Sequence, residues 1–110
     1  MRVARLRRST DIAKVRSEGR SLRREGFIAR VRRADGHGVR IAVTASRALG
    51  GAVVRSRAKR RVREAFRIAT TYRRSEAGID LVVTARAEAL TEPFLKLRDD
   101  AAAVLIEATR

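Results

Sequence analysis

The sequence predicts a small single domain of the α+β class, with a mixed sheet of about four strands and three helices in the order αββ(β)αβα. Three features carry that prediction. The 110 residues suffice for one hydrophobic core but not for two. Two segments alternate apolar and polar residues with period two, the mark of half-buried strands. Two others repeat apolar residues at helical spacing, with a short apolar run between them.

The elements follow in order. Residues 1–8 are a basic N-terminal extension, expected to be flexible. Ser9 or Thr10 offers an N-cap, Ile12 and Val15 form a short apolar stripe, and Gly19 is placed to end a helix over 10–18. Phe27, Ala29 and Val31 alternate with Ile28, Arg30 and Arg32; Val39, Ile41, Val43 and Ala45 alternate with Arg40, Ala42 and Thr44. The turn chemistry of Ala34-Asp35-Gly36-His37-Gly38 joins these two strands as an expected antiparallel hairpin with one basic face.

Gly50-Gly51 then precedes the longest helical pattern, 52–72, whose Val54, Ala58, Val62, Ala65, Phe66 and Ala69 gather on one stripe. The run Ile79 to Ala85 reads as a strand buried largely on both faces, and needs a crossover helix to join the sheet. Thr91, with Pro93 in the first turn, opens a last helix striped by Phe94, Leu97, Ala101, Val104, Leu105 and Ala108.

Composition narrows the function. The absence of cysteine excludes disulfides, thiol nucleophiles and cysteine zinc sites, and a single histidine excludes a histidine-cluster metal site. No nucleophile with a neighbouring base stands out, so no catalytic residue and no metal ligand is assigned. His37 receives no role, and Asp99-Asp100, which diverge by about 100° on a helix, read as surface charge. No apolar run approaches the length of a membrane span, which leaves a cytoplasmic protein as the expectation.

The formal charge is +15, and it is concentrated: residues 1–74 carry a net +18 and residues 75–110 a net −3. Of the 27 basic residues, all but Lys14, Lys59 and Lys96 are arginine. Guanidinium forks match phosphate oxygens in pairs and stack on bases. Codon usage in a GC-rich genome also favours arginine, but it does not account for the net charge.

The segment Arg55 to Arg67, RSRAKRRVREAFR, holds seven basic residues and one acid around an apolar stripe. As a helix it sets Lys59, Arg60, Arg63 and Arg67 opposite the stripe and Arg55, Arg57 and Arg61 on its flanks. Like charges at i and i+4 cost a few tenths of a kcal/mol per pair, and a merely solvated face would intersperse acids. Phosphate binding is therefore the favoured reading. Neither a preceding helix-turn-helix partner nor dimerising heptads are present, so DNA is not an expected partner.

Ser46-Arg47 through Gly50, Ala52-Val53, Arg55-Ser56-Arg57, Lys59-Arg60-Arg61 and Arg63-Glu64 together resemble the signature of the bacterial ribonuclease P protein family. Arg5-Leu6 leading into Asp11, Val15 and Gly19, the stretch Arg40 to Ser46, and Asp80-Leu81-Val82-Val83 followed by Ala85-Arg86 extend the likeness over nearly the whole chain. The resemblance implies a sheet with a left-handed βαβ crossover. It also implies an accessory protein subunit, inactive alone, of an endoribonuclease whose RNA subunit removes the 5′ leader of precursor tRNA in a Mg2+-dependent hydrolysis. The protein itself is expected to hold no cofactor.

Partners are then the ribonuclease P RNA and precursor tRNA. By resemblance the RNA-binding residues are Arg47, Arg55, Ser56, Arg57, Lys59, Arg60, Arg61, Arg63 and Arg67. The leader cleft is lined by Ile12, Arg16, Arg30 and Arg40. Two departures stand out. Ser56 replaces an asparagine of the family signature, and none of Ile12, Arg16 and Arg30 is aromatic where the family commonly is. A ribosomal or other structural RNA-binding protein without a processing role is the alternative that the basic helix alone permits.

Overall fold

The computed structural model describes residues 4–36, 38–72 and 78–109. In chain order the elements are β1 (Ala4–Arg5), α1 (Ser9–Glu18), β2 (Arg20–Arg23), β3 (Phe27–Ala34), β4 (Val39–Ala45), α2 (Ala52–Tyr72), β5 (Gly78–Ala85) and α3 (Phe94–Ala108). Short 3-10 turns over Arg47–Leu49 and Ala87–Leu90 lead into α2 and α3. The class is α+β as expected, with three helices and, in place of about four strands, five among the described residues.

The sheet order is β1-β4-β5-β3-β2. This corrects the expected hairpin, because β3 and β4 do not pair with each other. β5 lies between them, antiparallel to β3 from Phe27↔Ala85 to Ala34↔Gly78 and parallel to β4 from Val39↔Ile79 to Ala45↔Ala85. The reason is burial: β5 is buried at every position but Thr84, and a strand apolar on both faces belongs at the centre of a covered sheet. The connection from Ala34 to Val39 spans two strand spacings, about 10 Å. Gly36 and Gly38 take positive φ, 98° and 83°, and Gly38 accepts a 2.9–3.0 Å-class bond, 3.0 Å here, from the Ile79 N–H below it. His37 lies outside the described residues. The hairpin that does form joins β2 to β3.

Alternation along the strands divides the sheet into two faces. Phe27, Ala29, Val31, Ile41, Leu81 and Val83 face α2 and α3 and build the main core with Val62, Phe66, Leu97 and Val104. Phe27 and Phe66 meet edge to face with ring centroids 5.2 Å apart. Of the expected α2 stripe, all but Val54 are buried; Val54, in the first turn, is 38% exposed. α3 begins three residues after Thr91, at Phe94, because Thr91 closes the preceding 3-10 turn and Pro93 takes the cap position.

The opposite face carries a second, smaller core in which α1 packs Val15 against Val82 and Leu6, with Ile12 and Ala42 beside them. Here the extension departs from expectation. Residues 1–3 lie outside the described residues, but Ala4 and Arg5 pair parallel to β4, and Leu6 is 4% exposed. Burying one leucine contributes about 1.5–3 kcal/mol, enough to tie down a short segment that composition alone marks as polar. Gly19 turns extended to end α1, and only glycine fits there: a Cβ would collide with the Val15 carbonyl and lie 2.9 Å from that of Val31.

Candidate nucleic-acid interface

α2 is long and straight-chain rich, with Ala, Arg, Lys and Glu through its interior and neither glycine nor proline. Its buried stripe fixes the helix against the sheet and thereby fixes the direction of its cations. Arg57 and Arg60 are exposed, Lys59 and Arg63 half-buried, and Ser56 lies exposed among them. Among the described residues, Arg47, Arg55, Arg57, Lys59, Arg60 and Arg63 make no side-chain hydrogen bond and meet no carboxylate within 4.0 Å. Ala52, Val53, Ser56, Arg57 and Arg60 line a shallow open depression, with Val53 80% exposed. Burial, and after it the charge of Arg5, holds Arg63 below the ordinary arginine range.

Two residues grouped with this surface by sequence are engaged within the chain. Arg61 donates from Nε to the Ala89 carbonyl at 2.8 Å and from a terminal nitrogen to the Glu92 carbonyl at 2.6 Å, and its guanidinium lies 5.9 Å from the centre of the Phe94 ring. It satisfies carbonyls that the turn before α3 leaves without partners. Arg67 forks onto Glu64, with Nε 3.0 Å from one carboxylate oxygen. Among the described residues, the other five α2 cations have no such partner and form a continuous array.

The residues expected from the resemblance to line a leader cleft sit on the α1 side of the sheet. α1 crosses the strands, since Asp11 reaches Arg40 on β4 at 3.6 Å while Glu18 reaches Arg32 on β3 at 3.8 Å. Those acids occupy one flank of α1. At about 100° per residue, Ile12 and Arg16 fall on the other, toward the uncovered part of the sheet face with Ile28, Thr44 and Thr84. Ile12 packs against the small core and Arg16 is exposed. Arg30 donates to the Gly19 carbonyl at 2.7 Å, capping α1.

Arg40 does not line this opening. It forks onto Asp80 at 2.8 and 2.7 Å and faces Asp11 as well, so the acid-bearing flank of α1 closes over it. Its hydrogen bonds to Asp80 hold the guanidinium above the ordinary arginine range. Asp80 is 2% exposed, and a buried carboxylate demands such a partner. Sequence reading missed Arg5, which the register of β1 places opposite Ile41 on the α2 side of the sheet. Its signal was Leu6, an apolar residue inside a basic segment.

A small α+β domain that holds a row of unpaired guanidinium groups on one rigid helix is a nucleic-acid-binding protein of the phosphate-contacting kind. Comparison with known proteins narrows that class. The Ribonuclease P family profile matches residues 1–109. The ribonuclease P protein component of Chloroflexus aurantiacus is 43% identical over 108 residues, covering 97% of this chain and 78% of that one. That of Symbiobacterium thermophilum is 42% identical over 85 residues, covering 76% and 72%. The RNase P protein from Thermotoga maritima superposes with a TM-score of 0.78 at 29% identity, covering 94% of this chain and 96% of that one.

The chain belongs to the ribonuclease P protein family. Its role is that of the accessory protein subunit of a ribonucleoprotein endoribonuclease in tRNA processing, with an RNA partner. The alternative of a structural RNA-binding protein finds no support in these comparisons. Among the described residues, no helix is long and apolar enough to cross a membrane.

Proposed function

We propose that this subunit docks on the ribonuclease P RNA through the outer face of α2 and offers the uncovered sheet face beside α1 to the 5′ leader of precursor tRNA. The observation that carries the reading is the array Arg55, Arg57, Lys59, Arg60 and Arg63, rigidly held and without internal counterions among the described residues. Five such contacts correspond to a slope of log affinity against log salt of about −3.5 to −4.5. Ser56 stands where the resembled signature has an amide. It contributes one donor and reaches less far, so the flanking arginines carry more of the binding there.

At the leader face, Arg16 is the free guanidinium plane and Ile28 the apolar floor; together they take the place of stacked aromatics. RNA performs the chemistry, and this chain raises the affinity for precursor over mature tRNA. In this reading the magnesium that the hydrolysis needs acts with the RNA that performs the chemistry. The site of action is the cytoplasm, where precursor tRNA is made.

Reconstitution tests the reading. Added to ribonuclease P RNA at low magnesium, the protein restores precursor-tRNA cleavage and by itself cleaves nothing. Cleavage that does not respond to the protein contradicts it.

A further inference from the structure

β1 is only two residues long, yet its register is well determined. Arg5 lies opposite Ile41, and the Leu6 N–H donates to the Ile41 carbonyl at 2.9 Å. Ile41 points into the α2 layer, so its parallel neighbour Arg5 points to that side too. Leu6 then turns to the opposite face and enters the α1 core, which confirms the register independently.

The flank of α2 toward this sheet edge carries Arg55, Lys59 and Arg63 at four-residue spacing. Arg5 is exposed and Arg63 half-buried, and burial, with the charge of Arg5 after it, holds Arg63 below the ordinary arginine range. Among the described residues no carboxylate lies within 4.0 Å of either. On the same flank the Arg55 Nε is buried without a hydrogen-bond partner. Guanidinium groups on the same side of two neighbouring elements, with no carboxylate against them among the described residues, suit an anion.

We propose that Arg5 and Arg63, with Lys59 one turn away, clamp a single backbone phosphate of the ribonuclease P RNA, which makes the N-terminal strand part of the RNA interface. This rests on the RNA-docking reading of α2 and extends it to a segment that the sequence left free. A phosphodiester there accepts from both guanidinium groups at once and relieves their repulsion. It also explains why β1 is pinned to the sheet by a buried leucine: a clamp needs both jaws fixed.

The test is a double-mutant cycle on binding to the cognate ribonuclease P RNA, with Arg5→Gln, Arg63→Gln and the pair. Each single change is expected to weaken binding about three- to tenfold and to flatten the salt slope by about 0.7–0.9. The double variant is expected to lose little more than the worse single, because both arginines serve one phosphate. Arg5→Lys, which keeps the charge, retains most of the affinity.

An Arg5→Gln protein that binds like wild type overturns the clamp, and so does a double variant whose losses multiply. Equal weakening by Arg5→Lys and Arg5→Gln, with melting temperatures lowered as in Leu6→Ala, also overturns it, since the residue then acts only through β1. Wild-type affinity that ignores salt would instead sink the docking reading itself.

Discussion

The arginines of α2 and those gathered around the C-terminus of α3 share a side chain and differ in what surrounds them. At the end of α3, Arg20 donates to the Glu107 carbonyl, Arg33 to the Thr109 carbonyl at 3.0 Å, and Arg24 lies 4.0 Å from the Glu107 carboxylate. These groups complete a helix terminus whose last carbonyls have no partner of their own and whose dipole favours cations. Along α2, Arg57, Lys59 and Arg60 meet neither a helix end nor an acid among the described residues. Net positive charge therefore says little about which cations are available to a partner. Position relative to carbonyl ends and carboxylates decides it.

Variants of each group sharpen the contrast, beginning with the largest effect. Arg40→Ala leaves the Asp80 carboxylate buried without its forked partner and is expected to cost about 3 kcal/mol, at the low end for a broken buried pair because the Arg40 side chain is itself 39% exposed. Urea unfolding checks this, and the RNA salt slope should not change. Arg61→Ala removes two hydrogen bonds to carbonyls and the contact with Phe94, for about 2 kcal/mol of stability. It too leaves the salt slope unchanged, although Arg61 belongs to the same basic run as Arg60.

Smaller effects follow at the helix end and on the α2 surface. Arg33→Ala costs about 0.3–1 kcal/mol, read as a modest fall in melting temperature with RNA affinity unaltered. Glu64→Gln releases Arg67 and is expected to steepen the salt slope by at most about 0.7–0.9. The same variant has a pH signature. The hydrogen bond from Arg67 holds the Glu64 carboxyl below the ordinary carboxylate range, so its stabilisation is present above that range and lost as pH falls through the lowered value. Wild type loses this small term in acid, and Glu64→Gln has none to lose.

Periodicity made most of the fold legible: α2 over 52–72, β4 over 39–45 and, apart from Val54 and Phe94, the buried stripes of both long helices follow directly from it. Strand neighbours did not follow. The turn residues 34–38 suit a hairpin locally, and only the double-sided burial of β5 reveals that it intervenes between β3 and β4. β1 was hidden because two residues show no period, and its anchor Leu6 is a single apolar residue among arginines. At the interface, the sequence located the basic helix but not the partners of its side chains. Helical projection sets Arg60 opposite the stripe and Arg61 on its flank, but only the approach of the turn before α3 shows that Arg61 is engaged within the chain.

The central claim is that the unpaired cations of α2 hold the RNA while the paired ones hold the fold. The direct test compares the salt dependence of ribonuclease P RNA affinity for wild type and for Arg57→Gln, Lys59→Gln and Arg60→Gln combined. The slope is expected to flatten by about 2–3 with the melting temperature unchanged. A slope equal to that of wild type, or a flattening reproduced by removing Arg20 and Arg33, contradicts the claim.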